Sequence, residues 1–467
     1  MKITFNNLGA IEKTTLDLRP LTVIIGPNNS NKTYLAYSIY GIWDSLKDVI
    51  ENFVTELEPK YEGGDIYSLR LDKSFVEILR SYSEVFIESF EEDLDVFFQD
   101  SSRKIFKNAY FELTFSQSEV NEKIRKHFRR NKFVETEDIK ISLRDNPLTL
   151  LIDAGKYWKS EGDSSADDDG SEIIYRAAQY IISIIFPKPF LLPAERNALI
   201  ITYKILANKR LKHLRQIQRE RISPRSERQL EILREQGDIR YPQPIEAFLD
   251  FLSDIEFESA PVKKTKTRLK FQEISRNIER YIQDNNKTDL KTTKLGGQEI
   301  KINVRKGLDI DLYNASSSIK QLAPLLLYLR YYAEENDLLI IDEPEMNLHP
   351  ESQAKLLEIL GILVNAGLNI LLTTHSPYFM AHLNNLVSGN IANETALEAQ
   401  AQILYLKDER AFLRDEDVSA YQMKDGSLCS LKHKDYGIRW DTLSDVSADI
   451  QQKFFEIYEK GEDSLNG

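Results

Sequence analysis

The sequence predicts an α/β fold: a mixed, largely parallel sheet, an antiparallel lobe and a helical insertion. Three observations carry that expectation. The apolar run Leu21-Thr22-Val23-Ile24-Ile25 leads into Gly26-Pro27-Asn28-Asn29-Ser30-Asn31-Lys32-Thr33 and then into a helical pattern from Tyr34 to about Trp43. Far along the chain, Asp337-Leu338-Leu339-Ile340-Ile341 is an aliphatic strand that ends on Asp342, Glu343 and Pro344. Another, Asn369 to Thr374, ends on His375-Ser376-Pro377. Strands this apolar suit a parallel sheet covered on both faces, and polar residues at their carboxyl ends stand where such sheets do their chemistry.

Strand, tight loop and helix form a geometry that cradles phosphate. The loop has the spacing G-x-x-x-x-G-K-[ST] with Asn31 in place of the second glycine, and Asn tolerates the left-handed backbone a glycine would supply. The N–H groups of Gly26, Pro27 excepted, through Asn28, Asn29, Ser30 and Asn31 would face phosphates. Lys32 would reach the β and γ oxygens, and the Thr33 hydroxyl would ligate Mg²⁺ at the positive end of the helix. Asp342 would hold the same Mg²⁺ through water, while Glu343 would orient and deprotonate an attacking water. His375, at a strand end, could donate a hydrogen bond beside the γ-phosphate as a neutral imidazole. The expected ligands are ATP and Mg²⁺, and the expected reaction is hydrolysis of ATP to ADP and phosphate. A chance Lys-Thr pair or a lone structural histidine is the bland alternative for each feature alone. Their order, each at a strand or helix end, outweighs it.

The other elements follow in chain order. Residues 2 to 25 alternate as strands, with Ile3 and Phe5, then Leu16 and Leu18, on one face. A long acidic stretch, about 44 to 100, reads as mostly helical. Asn108 to Ser116 and Asp138 to Leu143 read as strands, and Glu161 to Glu172 as a polar surface loop without the ligand spacing of a calcium site. Tyr175 to Phe186 reads as a helix leading into a short buried strand, Phe190 to Arg196. Between Lys204 and Arg234 ten Lys and Arg stand against three Asp and Glu. That segment is expected to be a helical insertion that either contacts nucleic acid or a partner or is a solvated face. Strands resume at about Glu299 to Leu312, a helix begins near Pro324, and another runs from Ser352 to about Asn365. The tail offers a strand segment, Ser419 to Leu431, and a helix, Ser447 to Lys460. The expected organisation is a first lobe over 1–196, an insertion over 197–293, a second lobe over 294–385 and an extension over 386–467.

Composition narrows the class. The chain has 467 residues, 42% hydrophobic and 29% charged, a globular balance with core enough for two or three domains. A net charge of −13 argues against indiscriminate coating of nucleic acid. One cysteine, Cys429, excludes an intramolecular disulfide and any multi-cysteine metal site. Met1 to Asn7 lacks a signal peptide's apolar core, and the run Ile181 to Phe186 is cut short by Pro187, so no membrane span and a reducing cytoplasm are expected.

Four strings taken together, G-P-N-N-S-N-K-T, A-S-S-S-I-K-Q, L-L-I-I-D-E-P-E-M-N-L-H-P and T-T-H-S-P, resemble the ABC-type P-loop ATPase heads of the RecF, SMC and OLD-like group. They most closely resemble the stand-alone AAA family ATPases of that group. The resemblance covers about residues 1 to 43 and 310 to 385, and Leu192 to Arg196 also looks like a recurrent element of the group. It implies that Gly26 to Thr33 is the Walker A loop, that Ser316, Ser317 and Ser318 sit in the signature motif, and that Asp342 with Glu343 is Walker B. Asn347 to Pro350 looks like the D-loop and His375 like the switch histidine. Ser318 departs from the glycine many relatives carry. Gln117 is the best-placed candidate for the glutamine that contacts Mg²⁺ from the first lobe. The resemblance further implies a homodimer, or a larger homo-oligomer, that closes around ATP. Similar stand-alone ATPases work in bacterial anti-phage systems of the Septu, Gabija, PARIS and retron kinds beside a separate effector, a nuclease or toxin. The 85 residues after His382 look too few for a Toprim nuclease. Alternatives from other classes are a RecF-like or SMC-like repair ATPase that binds DNA through 204–234, and a scaffold that ATP merely locks.

Overall fold

The computed structural model describes residues 1–48, 50–102, 104–130, 133–135, 139–155, 169–206, 241–257, 266–292, 298–389, 394–433, 437–438, 449 and 451–455. Most of the basic segment 204–234, most of the loop 161–172 and most of the helix expected at 447–460 lie outside the described residues.

The site is positioned by a six-stranded sheet. Its strands are β1 (Leu21–Ile25), β2 (Pro189–Leu192), β3 (Leu338–Asp342), β4 (Asn369–Thr374), β5 (Val418–Lys424) and β6 (Ser427–Ser430). The order is β2-β3-β4-β1-β5-β6. All neighbours are parallel except the hairpin of β5 and β6. Every residue of β1 and β3 is buried, as strands covered on both faces require. Each such Leu or Ile contributes about 1.5–3 kcal/mol on leaving water.

Helices cover the sheet: α1 (Lys32–Asp44), α2 (Ser317–Tyr331), α3 (Pro350–Asn365) and α4 (Pro377–Gly389). On α1 the buried Leu35, Ile39, Ile42 and Trp43 face the core, and Trp43 meets Phe186 edge to face at 5.8 Å. Three further antiparallel sheets, and a short pair of Lys432–His433 with Gly437–Ile438, accompany the six-stranded sheet among the described residues. Lys2–Leu8 pairs with Ile11–Asp17 and with Tyr110–Thr114. Five strands, from Lys60–Gly63 to Leu148–Asp153, form a second. Lys287–Thr292, Gln298–Arg305 and Leu308–Asp311 form a third. No helix among the described residues is long and apolar enough to cross a membrane.

Several expectations need correction. The mostly helical stretch 44–100 also carries an unexpected hairpin, Lys60–Gly63 with Ile66–Arg70. Its turn places Gly63, Gly64 and Asp65 at positive φ, a turn signal that the surrounding carboxylates mask in the sequence. Strands resume at Lys287, not Glu299, since Lys287–Thr292 pairs along Gln298–Arg305. The helix expected from Pro324 starts at Ser317, where Ser316 caps it by accepting from the Ile319 N–H at 3.4 Å, and Pro324 lies inside it. The tail segment 419–431 is not an appendage. Val418–Lys424 lies parallel beside β1, with Tyr421 opposite Ile24.

Candidate active site

The carboxyl ends of β1, β4 and β3 bring five expected residues together, Lys32, Thr33, Asp342, Glu343 and His375. The loop after β1, residues 26–33, comes first, built by backbone geometry. Asn31 has φ 64° and Asn29 φ 60°, so both hold the left-handed conformation that a glycine would adopt without strain. Gly26 is needed for another reason. A Cβ there would lie 2.9 Å from the Met423 Cβ and 3.2 Å from the Met423 carbonyl, so β5 walls the loop from behind. Pro27, Asn28 and Asn29 are exposed, and Ser30 and Asn31 half-buried.

Lys32 opens α1 and is 5% exposed. Its Nζ donates to the Gly26 carbonyl at 3.1 Å, the Pro27 carbonyl at 2.9 Å and the Ser30 hydroxyl at 3.4 Å. Burial lowers its pKa, and Glu343, Asp342 and Glu345 oppose that shift. The ammonium is thus held inside the loop by acceptors that an anionic ligand can replace.

Thr33, next along α1, is exposed and donates from Oγ1 to Asp342 Oδ2 at 3.0 Å. The other Asp342 oxygen accepts from the Thr373 hydroxyl. Asp342 is 2% exposed, and burial raises its pKa against those two hydrogen bonds. A hydroxyl and a carboxylate side by side are the hard oxygen donors that suit Mg²⁺. Among the described residues no cluster of three or more His, Cys, Asp or Glu could hold a metal alone, so a cation here needs ligand oxygens as well.

Glu343 departs from the strand at φ 48°, with its N–H on the Thr373 carbonyl and hydroxyl, both at 3.2 Å. That turn aims its carboxylate at His375, whose Nε2 lies 3.2 Å from Glu343 Oε1. Both side chains are about a third exposed, 30% and 29%, so water can reach the pair.

Sequence reasoning missed the residues that hold these loops. Glu345 Oε1 accepts from the Thr374 hydroxyl and from the His375 N–H, both at 2.7 Å. Gln353 donates to the Leu348 carbonyl at 3.0 Å and accepts from the Ser376 hydroxyl at 2.6 Å. The loops after β3 and β4 are therefore knitted to each other. The second carboxylate of D-E-P-E and the polar residues after the histidine were the available signals.

The remaining expected residues do not join this group. Ser316 and Ser317 are exposed and Ser318 half-buried, with a 3.0 Å hydroxyl contact between Ser316 and Ser318. No hydrogen bond among the described residues links any of the three to Lys32, Thr33, Asp342 or Glu343. Gln117 opens the helix Gln117–Arg130 and has no hydrogen bond to that group either.

A family model described as an AAA ATPase domain matches residues 1–380. No curated protein matches the chain. Among solved structures the chain is similar to an Smc head domain from Pyrococcus furiosus, with an extended coiled coil, bound to the C-terminal domain of ScpA. That match has 12% identity and a TM-score of 0.34, over 96% of this chain and 98% of that one. An SmcHead bound to the C-winged helix domain of ScpA is 10% identical with a TM-score of 0.36, over 92% and 96%. The SMC head domain from Thermotoga maritima is 11% identical with a TM-score of 0.30, over 92% and 97%.

Proposed function

The chain belongs to the AAA ATPase domain family, and from that premise we propose that it is an ATPase of the ABC-type head class whose hydrolysis centre is Glu343. One observation carries this reading. Thr33, Asp342, Glu343 and His375 converge at the carboxyl ends of three neighbouring parallel strands, with Glu343 and His375 at 3.2 Å.

In this reading, ATP displaces the loop carbonyls from Lys32, whose ammonium then faces the β and γ oxygens. The N–H groups of the loop and the start of α1 hold the rest of the phosphate chain. Thr33 Oγ1 and Asp342 would hold Mg²⁺, whose charge would offset that of the phosphate oxygens. Glu343 accepts the proton of the attacking water, and His375 keeps that carboxylate in line through Nε2. Glu345 fixes His375 by its backbone N–H.

Ser316 and Ser317 are exposed at the N-terminus of α2, and with Ser318 make no hydrogen bond to this group among the described residues. That supports a role on a nucleotide held by a second copy, so that two chains close head to tail on two ATP molecules. The motif resemblance to stand-alone ATPases supports the further reading that nucleotide state regulates a separate effector in prokaryotic anti-phage defence.

The test combines two variants with the product of the neighbouring open reading frame. Glu343→Gln should bind ATP as wild type does, release no phosphate and retain the neighbour's product in ATP. Lys32→Ala should lose nucleotide binding and the ATP-dependent part of that capture. Wild-type phosphate release by Glu343→Gln would refute the catalytic assignment, and capture indifferent to ATP in every variant would refute the regulatory one.

A further inference from the structure

Arg196 follows β2 and is 2% exposed, yet no ion pair joins it to a carboxylate among the described residues. Its donors go to main-chain carbonyls instead. Nη1 donates to Pro193 at 2.8 Å and to Asp342 at 2.6 Å, Nη2 to Glu343 at 2.9 Å, and Nε to Gln321 at 3.2 Å. The Gln321 side chain, fully buried one turn into α2, adds a further acceptor. With its amide oxygen turned to the guanidinium, it accepts from Nε at 3.2 Å and from Nη2.

Two features make this more than packing. A buried guanidinium with only carbonyl partners is a costly way to fill space, and apolar side chains would serve structure alone better. The carbonyls it grips also flank the Glu343 backbone, whose φ of 48° is a strained setting that persists only where its surroundings hold it. A planar fork can bridge two successive carbonyls and still reach α2, whereas a lysine's point charge cannot.

We propose that Arg196 is a positioning residue that holds the left-handed peptide of Glu343 and ties it to α2. A displacement at the Ser316–Ser318 end of α2 then reaches the Glu343 carboxylate of the same chain through Gln321 and Arg196. This rests on Glu343 acting as proposed above.

The test uses full-length Arg196→Lys and Gln321→Met beside Glu343→Gln. It measures kcat and KM by phosphate release, the Kd of a fluorescent ATP analogue and the melting temperature. Arg196→Lys should lose about a hundredfold in kcat with the nucleotide Kd unchanged, because it misplaces the carboxylate and not the ligand. Gln321→Met keeps every main-chain carbonyl contact and should lose about tenfold in kcat at an unchanged Kd, with a lowered melting temperature but a folded protein at the assay temperature. The proposal is overturned if either variant, folded, hydrolyses ATP at the wild-type rate while Glu343→Gln is inactive. If Arg196→Lys is unfolded at the assay temperature, Gln321→Met alone decides. Should Glu343→Gln itself hydrolyse ATP normally, the underlying reading fails and this one falls with it.

Discussion

Asn31 shows how a single residue can keep a loop while departing from its usual sequence. Its φ of 64° is the angle the missing glycine would hold, so the departure costs little backbone energy. Asn31→Gly should therefore bind nucleotide as wild type does. Asn31→Val should lose about 1–2 kcal/mol locally, because a β-branched residue resists the left-handed region, and should weaken binding with it. Titration with a fluorescent ATP analogue checks both, and equal affinities for Val and Gly would refute the account. This residue was legible because spacing and residue type name the backbone angle directly. Arg196 was not: a lone arginine after a buried strand gives no sign that three of its partners are main-chain carbonyls more than a hundred residues away.

Individual elements are held by buried carboxylates whose settings differ. Glu358 on α3 is fully buried and accepts from His382 Nε2 at 2.9 Å, the Tyr405 N–H at 3.0 Å and the Leu406 N–H at 2.8 Å. It pins α4 and the segment after it to α3, so Glu358→Ala should cost about 3–5 kcal/mol, read as lost denaturant stability. A loss under about 1 kcal/mol would mean these bonds are replaceable by water. Asp337, just before β3, accepts from the Tyr328 hydroxyl at 2.8 Å and the Glu334 N–H at 2.9 Å, and burial pushes its pKa up to about 6. The native carboxyl keeps its proton to about pH 6 and an unfolded one only to about pH 4, so stability falls as pH rises through that window. Asp337→Asn should gain on wild type in melting temperature as pH rises from about pH 4 to about pH 6. Parallel melting curves over that range would exclude burial as the cause. Neither carboxylate was legible, because burial is a property of the assembled layers. The strands β1, β3 and β4 were, because aliphatic runs bounded by polar ends have few other uses.

At the scale of the whole molecule, the site depends on chain segments that lie almost four hundred residues apart. β5 joins the sheet beside β1, and its Met423 lies against Gly26, so the far end of the sequence shapes the phosphate loop. The tail reads as an appendage in sequence because period-two alternation shows a strand but not its neighbour. Gly26→Ala should lower both nucleotide affinity and melting temperature, since the new Cβ meets the Met423 carbonyl at 3.2 Å as well as its side chain. An unchanged affinity would mean that the loop yields freely. The central claim is that Glu343 hydrolyses ATP in a site that two chains complete. Its most direct test is the solution mass of the protein without nucleotide, with ATP and Mg²⁺, and as Glu343→Gln with ATP, with phosphate release followed alongside. The account predicts association driven by ATP, trapped in Glu343→Gln and relaxed by phosphate release in wild type. A mass indifferent to nucleotide, with no phosphate released, would contradict it.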